Sequence, residues 1–154
     1  ILFSKDFLNR NLNLNKYQDL VLMNVEDDNM RGTFNQNDIA LIIKFHNKVL
    51  PKTFKDGIYA LSMNNEVIIR RLQFLEFKIH NRVLVNIISD NKKYSDQKIP
   101  LEELNLFGEV VWKCNNFKDI EFTKYELSEP NLFLPKEDDY EIPLFLNKDK
   151  KEIA

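Results

Sequence analysis

The sequence predicts a mainly β fold, and three of its features indicate this class. Short apolar runs alternate with polar, Asn-rich turns along most of the chain. The pair Asn64-Asn65 separates two β-type runs, and paired Asn residues suit the type I′ turn, which needs a positive φ at both positions. In residues 74–79 polar and apolar positions interleave, as in a sheet with one solvated face. Short antiparallel strands are therefore expected to dominate.

The composition is that of a soluble globular domain. A chain of 154 residues is long enough for one domain with its own hydrophobic core. Hydrophobic residues make up 44% and charged residues 30%, which excludes a disordered chain. The net charge of -2 gives no electrostatic basis for nucleic-acid binding by this segment. No apolar run approaches the ~20 residues that cross a membrane, so no membrane association is expected.

The number of cysteines bears on the cellular compartment, and the first residue bears on whether the chain is a fragment. The single cysteine, Cys114, excludes an internal disulfide and favours a reducing, cytoplasmic compartment. It closes an apolar run, so a buried, inert thiol is expected. Because the chain starts at Ile1 without a signal-peptide pattern, we interpret it as a fragment or as a chain that has lost an N-terminal part.

In the first third of the chain, a polar loop is expected to precede a buried strand. Phe3, Phe7, Leu8 and Leu12 recur at helical spacing, which predicts one or two helical turns within residues 1–18. Residues 19–25 form a β-type run that leads into the central loop, 25–38. The apolar run 39–45 follows as a strand, which is expected to turn at 46–48 and to return through Val49 and Leu50 as a first hairpin.

Two further hairpins and a closing strand follow. Residues 57–63 are expected to pair with 66–72 around Asn64-Asn65, and residues 74–79 with 82–88 around His80-Asn81. A polar loop is expected at 89–100, one helical turn at 101–106 and a strand at 107–114.

Residues 115–154 differ in character and are expected to form a C-terminal arm on the domain of residues 1–114. They hold three of the five Pro residues and apolar islands at 120–122, 132–134 and 142–146. Such islands need a surface to bury against, on this domain or on a second copy of it. Pro135 and Pro143 confine any strands of the arm to sheet edges.

The central loop carries a resemblance to a known family. Its letters read Asp27-Asp28-Asn29-Met30-Arg31-Gly32-Thr33, and then Asn37-Asp38 opens the next strand. The loop resembles that of the self-cleaving repressors, the LexA-type and phage repressors, which are Ser-Lys serine peptidases. In that family the letters are Gly-Asp-Ser-Met-x-Pro-Thr, and a Gly-Asp pair follows.

Further segments match the same family in order. The run 67–72, Val-Ile-Ile-Arg-Arg-Leu, is similar to a family segment ending Val-Lys-Arg-Leu, whose Lys is the catalytic base. Residues 89–94 resemble its Ser-Asp-Asn-x-x-Tyr loop, and residues 106–111 resemble its closing Gly-x-Val-Val strand. The resemblance covers residues 3–114. It implies a LexA-type, signal-peptidase-like fold, in which a rolled antiparallel sheet forms a half-open barrel.

The two catalytic positions of the family differ here. Asn29 stands in place of the nucleophilic Ser, and Arg70 stands in place of the Lys. The amide of Asn is a poor nucleophile, and Arg keeps its charge near neutral pH, so it cannot act as the base. Asp27 and Gly32 replace the Gly and the Pro of the family motif. The resemblance therefore implies a pseudo-peptidase with no active catalytic residue.

Around these positions we expect a groove. Its residues are taken to be Asp27, Asp28, Met30, Gly32, Asp38 and Arg71. Arg70 has two sets of possible partners, the carbonyl of Asn29 or the carboxylates of Asp27 and Asp28. Two interpretations stay open: the pair fills a polar hole in place of a catalytic cleft, or a retained groove holds a peptide without cutting it. No cofactor or metal is expected, because His46 and His80 lie in turns without further ligands.

The sequence is compatible with three functions. The first is a non-cleaving C-terminal regulatory and dimerisation domain of a phage-repressor-like transcription factor. It would act as a homodimer and contact DNA only through an N-terminal domain not present here. The second is a stand-alone module that holds a peptide or a partner protein in the groove. The third is an autopeptidase whose catalytic residues have moved to hydroxyls at Thr33, Ser62 or Ser89 and to Lys44, Lys92 or Lys93.

Overall fold

A computed structural model describes residues 2–12, 19–45, 54–77, 82–115 and 139–147. The mainly β prediction is confirmed, since one short helix and one 3₁₀ turn accompany ten strands in these residues. The elements are β1 Leu2–Ser4, α1 Lys5–Leu12, β2 Leu20–Asn24, β3 Ile39–Lys44, β4 Gly57–Met63, β5 Glu66–Phe77, β6 Arg82–Ile88, β7 Gln97–Pro100, the 3₁₀ turn Leu101–Glu103, β8 Leu106–Cys114, β9 Asp139–Glu141 and β10 Leu144–Phe145.

Eight of the strands form one open sheet in the order β10-β2-β3-β8-β4-β5-β6-β7, and β1 pairs with β9 in a separate ribbon. All neighbours in the large sheet are antiparallel except β10 and β2, which are parallel. Antiparallel pairing therefore dominates, as expected, and this edge is the one parallel pair among the described strands. β10 is far from β2 in the sequence, so no tight turn fixes its direction.

The second hairpin is confirmed residue by residue. β4 and β5 pair from Gly57↔Leu72 to Met63↔Glu66. Asn64 and Asn65 have φ values of 50° and 64°, as a type I′ turn requires. The strands predicted separately at 66–72 and 74–79 are one continuous strand, because β5 runs on to pair with β6. The turn expected at His80-Asn81 lies outside the described residues.

β3 is a central strand of the sheet. Both of its edges are taken, one by β2 and the other by β8. Its residues Ala40, Leu41 and Ile42 have no exposed surface. A continuous apolar run suits a strand that is covered on both faces. The predicted return through Val49 and Leu50 lies outside the described residues.

One glycine permits the contact between β3 and β8. A Cβ added at Gly108 would lie 2.4 Å from the carbonyl oxygen of Ile43 and 2.6 Å from Cγ2 of Ile42. The ladder also shifts register between Leu41 and Ile42, which marks a bulge. Only a residue without a side chain allows β8 to approach this closely.

The N-terminal segment contains the predicted two-turn helix, but Phe3 precedes it in β1. The helix buries Leu8 completely. Phe3 and Phe7 meet Trp112 of β8 edge-on, at ring-centroid distances of 5.7 and 5.8 Å. These contacts fasten the helix to the face of the sheet.

The described part of the C-terminal arm packs on the same chain. β9 pairs with β1, and β10 extends the sheet beyond β2, with Pro143 between the two short strands. Ile142 is 1% exposed and contacts a cluster that includes Leu8, Leu20, Leu22 and Leu41. The other two apolar islands and Pro135 lie outside the described residues.

Two local expectations are wrong. The polar stretch 89–100, predicted as a loop throughout, ends in β7, which pairs with β6. Cys114, expected to be buried, is exposed. It is the last residue of β8, where the strand is still paired with Ile39 of β3 but has passed the end of its pairing with β4, and Lys113 and Asn115 are exposed as well.

Candidate functional site

The central loop, residues 25–38, connects β2 to β3, and backbone hydrogen bonds join its two ends. The N–H of Val25 donates to the carbonyl of Asp38 (2.8 Å), and the N–H of Asn37 donates to the carbonyl of Val25 (2.7 Å). Asp38 is 4% exposed, and its Oδ2 accepts the N–H of Asn35 at 2.8 Å. Gly32 has a φ of 103°, a conformation that side chains disfavour. Asp38 and Gly32 therefore shape the loop.

Met30 anchors this loop in the core. Its side chain is completely buried, in a cluster with Met23, Val25 and Phe34. The N–H groups of Thr33 and Phe34 both donate to its carbonyl. Because Met30 is held in the core, it fixes the position of its neighbour Asn29.

Asn29 is held from three sides. Its backbone N–H donates to Oδ1 of Asp27 (3.2 Å), and its carbonyl accepts the N–H of Asn91 (2.8 Å). Its side-chain Nδ2 donates to Oγ of Ser89 (3.1 Å). The loop after β6 thus fastens this residue from both the backbone and the side chain.

Arg70 lies beside it on β5, with a side chain that is 11% exposed. Its Nη1 donates to Oδ2 of Asp27 (3.0 Å) and to the carbonyl of Ile69 (2.7 Å). Of the partners that the sequence left open, Asp27 is the one the structure gives. One carboxylate therefore bridges the N–H of Asn29 and the guanidinium of Arg70.

Asp28 turns away to a different partner. Its Oδ1 accepts the hydroxyl of Tyr94, and its carbonyl accepts Nδ2 of Asn91 at 3.0 Å. The hydrogen bond from Tyr94 lowers the pKa of the Asp28 carboxyl, and the same bond raises the pKa of the Tyr94 phenol. These bonds tie the central loop to residues 89–94.

Arg71 makes a second tie between the same two loops. Its Nε and Nη2 donate to the two carboxylate oxygens of Asp90, both at 2.8 Å. The hydroxyl of Thr33 donates to Oδ2 of Asp90. The hydrogen bonds from Arg71 lower the pKa of Asp90, and those to Asp90 raise the pKa of Arg71. Neighbouring residues of a strand point to opposite faces, so Arg71 lies on the other side from Arg70.

The structure brings Asn29 and Arg70 together in one open-sided cleft of about 210 Å³. None of the six residues that the sequence placed in a groove lines it; they are Asp27, Asp28, Met30, Gly32, Asp38 and Arg71. Ser89 and Tyr94 do line it. The sequence analysis offered Ser89 only as a relocated hydroxyl and did not name Tyr94 as a site residue. The match of 89–94 to Ser-Asp-Asn-x-x-Tyr was the signal that could have placed both beside Asn29. The lining residues are Asn29, Met63, Ile68, Arg70, Ile87, Ser89, Tyr94, Ser95 and Gln97.

The cleft offers an amide, hydroxyls and a guanidinium, which suit hydrogen bonding to a polar ligand. Within the described ranges no lysine is hydrogen-bonded to the hydroxyl of Thr33 or Ser89. Lys44 and Lys93 lie instead over the rings of Phe107 and Tyr94.

In the part of the chain that the structure describes, no group of three or more His, Cys, Asp or Glu side chains is arranged to hold a metal ion. His46 and His80 lie outside that part. No helix among the described residues has the length and apolar character needed to cross a bilayer.

Comparison with known proteins assigns the chain to a family. The model of the family described as Peptidase S24-like matches residues 3–111. A search of curated proteins returned no match. The matched range runs from β1 into β8, and it contains the central loop, Arg70 and every residue that lines the cleft. Because this match covers more than half of the 154 residues, the chain belongs to the Peptidase S24-like family.

Proposed function

We propose that this chain is a non-cleaving regulatory domain of a repressor-like transcription regulator, in which the peptidase fold is kept and the Ser-Lys dyad is replaced by Asn29 and Arg70. The observation that carries the proposal is the carboxylate of Asp27, which accepts hydrogen bonds from both the Asn29 N–H and the Arg70 guanidinium.

This arrangement opposes peptide hydrolysis in two ways. A Ser-Lys centre needs a hydroxyl and a lysine that can lose its proton. Here the cation is a guanidinium, which stays charged and is ion-paired at 3.0 Å. A backbone N–H is also the usual donor for the carbonyl oxygen that becomes negative during attack. The N–H of Asn29 is occupied by Oδ1 of Asp27.

A regulatory domain of this kind would act as a homodimer in the cytoplasm and would reach DNA only through a separate DNA-binding domain. The net charge of -2 supports this division of labour, since it gives no basic surface for phosphate contacts. Light scattering over a range of concentrations tests the dimer. A dimer supports the regulatory proposal, and a strict monomer contradicts it.

The absence of cleavage is tested by intact mass. The full chain is held for days at about pH 10, where a free lysine is partly neutral and could act as a base. We expect a single unchanged mass. Two fragments whose masses add up to the chain plus one water would contradict the proposal. If Ser89→Ala or Thr33→Val then abolished this cleavage, the chain would be an autopeptidase with relocated residues.

A second function, a module that holds a peptide in the inactive cleft, is favoured by the cleft itself. Its volume of about 210 Å³ and its hydrogen-bonding lining suit an extended polar segment. A monomer that retains an extended peptide from a synthetic library, and loses it on Arg70→Met, would favour this second function over the first.

A further inference from the structure

One stretch of β5 has a strand on only one side. β4 pairs with the whole of residues 66–72, whereas β6 begins its pairing at Arg71↔Ile88. In an antiparallel ladder the N–H and C=O of alternate residues point to the same side. The N–H of Val67 points away from β4, because it donates to Asn147. The backbone groups of Ile69 therefore also point away from β4, and its carbonyl there accepts Nη1 of Arg70 at 2.7 Å.

This edge is covered at one end by a side chain. Oδ1 of Asn147 accepts the N–H of Val67 at 2.7 Å, and its Nδ2 lies 3.5 Å from the carbonyl of the same residue. The Nδ2 also donates to Oε2 of Glu26 at 3.3 Å. The amide of Asn147 thus takes both backbone groups of Val67, as a neighbouring strand would do.

The segment that carries Asn147 links β2 to the stretch of β5 that β6 leaves unpaired. Leu144 and Phe145 pair with β2, and the ring of Phe145 packs on that of Phe107 at a centroid distance of 4.9 Å. Two residues later Asn147 reaches β5. A slot of about 130 Å³ remains between residues 23–27 and 66–69, with Asn147 in its lining. Asp27, the partner of Arg70, also lines this slot.

We propose that residues 144–147 are an intramolecular occupant of the β5 edge, which must be displaced before another extended segment can pair with Val67. The family match ends at residue 111, so this occupant belongs to the part of the chain beyond the matched domain. It makes the β5 edge self-inhibited, because a competing strand must first break the Asn147 contacts and uncover the slot that Asp27 also lines.

This inference rests on the proposed function in one respect only, which is that the centre beside the β5 edge is inactive. Exchange of the Val67 amide reports the occupant, whereas intact mass reports the absence of cleavage. The failure of one proposal is therefore distinguishable from the failure of the other.

The first test is residue-resolved hydrogen exchange on the full chain with Asn147→Ala. We expect the Val67 amide to exchange roughly fivefold to tenfold faster, the effect of losing one hydrogen bond. The Ile68 amide, which faces β4, should not change and serves as an internal control. Gln36→Ala is a matched variant, because the Gln36 side chain also holds a backbone group, the Glu26 carbonyl at 3.0 Å. It should leave the Val67 amide protected.

The second test supplies the occupant from outside. The probe is a synthetic peptide of residues 139–147, Asp-Tyr-Glu-Ile-Pro-Leu-Phe-Leu-Asn, added to the full chain. We expect it to restore Val67 protection in the double variant Phe145→Ala/Asn147→Ala and to leave the unmodified chain unchanged.

Three results would overturn the proposal. The first is rapid exchange of the Val67 amide in the unmodified chain, and the second is an equal acceleration of the Val67 and Ile68 amides by Asn147→Ala. The third is a failure of the peptide to protect the Val67 amide of the double variant while its Ile68 amide stays protected. If the double variant unfolds, Ile68 loses protection, and the result with Asn147→Ala alone decides.

Discussion

Arg71 and Asp90 form a two-point ion pair that joins β5 to the loop after β6, with both nitrogen–oxygen distances at 2.8 Å. The side chain of Asp90 is 15% exposed, and that of Arg71 is 41% exposed. Because Asp90 also accepts the hydroxyl of Thr33, the pair links three segments that surround the candidate cleft. Because the pair needs the ionised carboxylate of Asp90, its contribution to stability should depend on pH.

We expect Asp90→Asn to lower the free energy of unfolding by about 1–2 kcal/mol at neutral pH, a modest value because solvent screens Arg71. The pKa of Asp90 is lowered by Arg71 in the folded state. Its contribution is thus complete above the unfolded value of about 4 and is lost as the pH falls through the folded value. Urea unfolding should show the difference between variant and parent shrinking in acid. Asp96→Asn, an exposed aspartate of the same loop, is the control, and an equal effect of both variants would contradict the prediction.

The pair of Asp27 and Arg70 should matter more for stability than an exposed pair. Asp27→Asn leaves the guanidinium of Arg70, 11% exposed, without its counter-charge. We expect a loss of about 2–4 kcal/mol in the free energy of unfolding. The matched control is Asp6→Asn, which breaks the Asp6–Arg10 pair, whose side chains are 69% and 76% exposed, on α1. It should cost less than about 0.5 kcal/mol. Similar losses for both variants would show that Arg70 does not depend on Asp27.

Gly108→Ala should be among the most damaging small substitutions in the sheet. The added Cβ would meet the carbonyl oxygen of Ile43 at 2.4 Å, and backbone there cannot move without breaking the ladder of β3 and β8. We expect a loss of about 2–3 kcal/mol or more. Gly57→Ala is the control, since its Cβ would lie 3.7 Å from the nearest atom, on the Tyr59 ring. Thermal unfolding should leave that variant within about 1 kcal/mol of the parent, and a reversed order would refute the packing argument.

The turn between β4 and β5 gives a test of backbone conformation. Asn65 has a φ of 64°, which Gly adopts freely and Ala adopts at a cost. Asn65→Ala should lower the free energy of unfolding by about 1 kcal/mol, whereas Asn65→Gly should leave it unchanged or raise it slightly. Denaturant midpoints at constant slope measure both. Equal midpoints for the Ala and Gly variants would mean that the turn has a different type in solution.

The sequence determined the features that depend on neighbouring residues. Asn64-Asn65 specified the β4–β5 hairpin and its register, because the two-residue turn fixes which residues face each other. Apolar runs located β2, β3 and β8 to within a residue or two. The letters around Asn29 and Arg70 indicated the family that the matched model shows.

The tertiary structure decided which distant segments meet. The insertion of β8 between β3 and β4 depends on the close approach at Gly108, which no periodicity reveals. The choice of Asp27 over Asp28 as the partner of Arg70 depends on Tyr94, which takes Asp28 from a loop some sixty residues away. The contact of Asn147 with Val67 joins segments 80 residues apart. Hairpins are specified by short-range geometry, whereas these pairings follow from the packing of the whole sheet, because each depends on which surfaces remain uncovered once the local elements have formed.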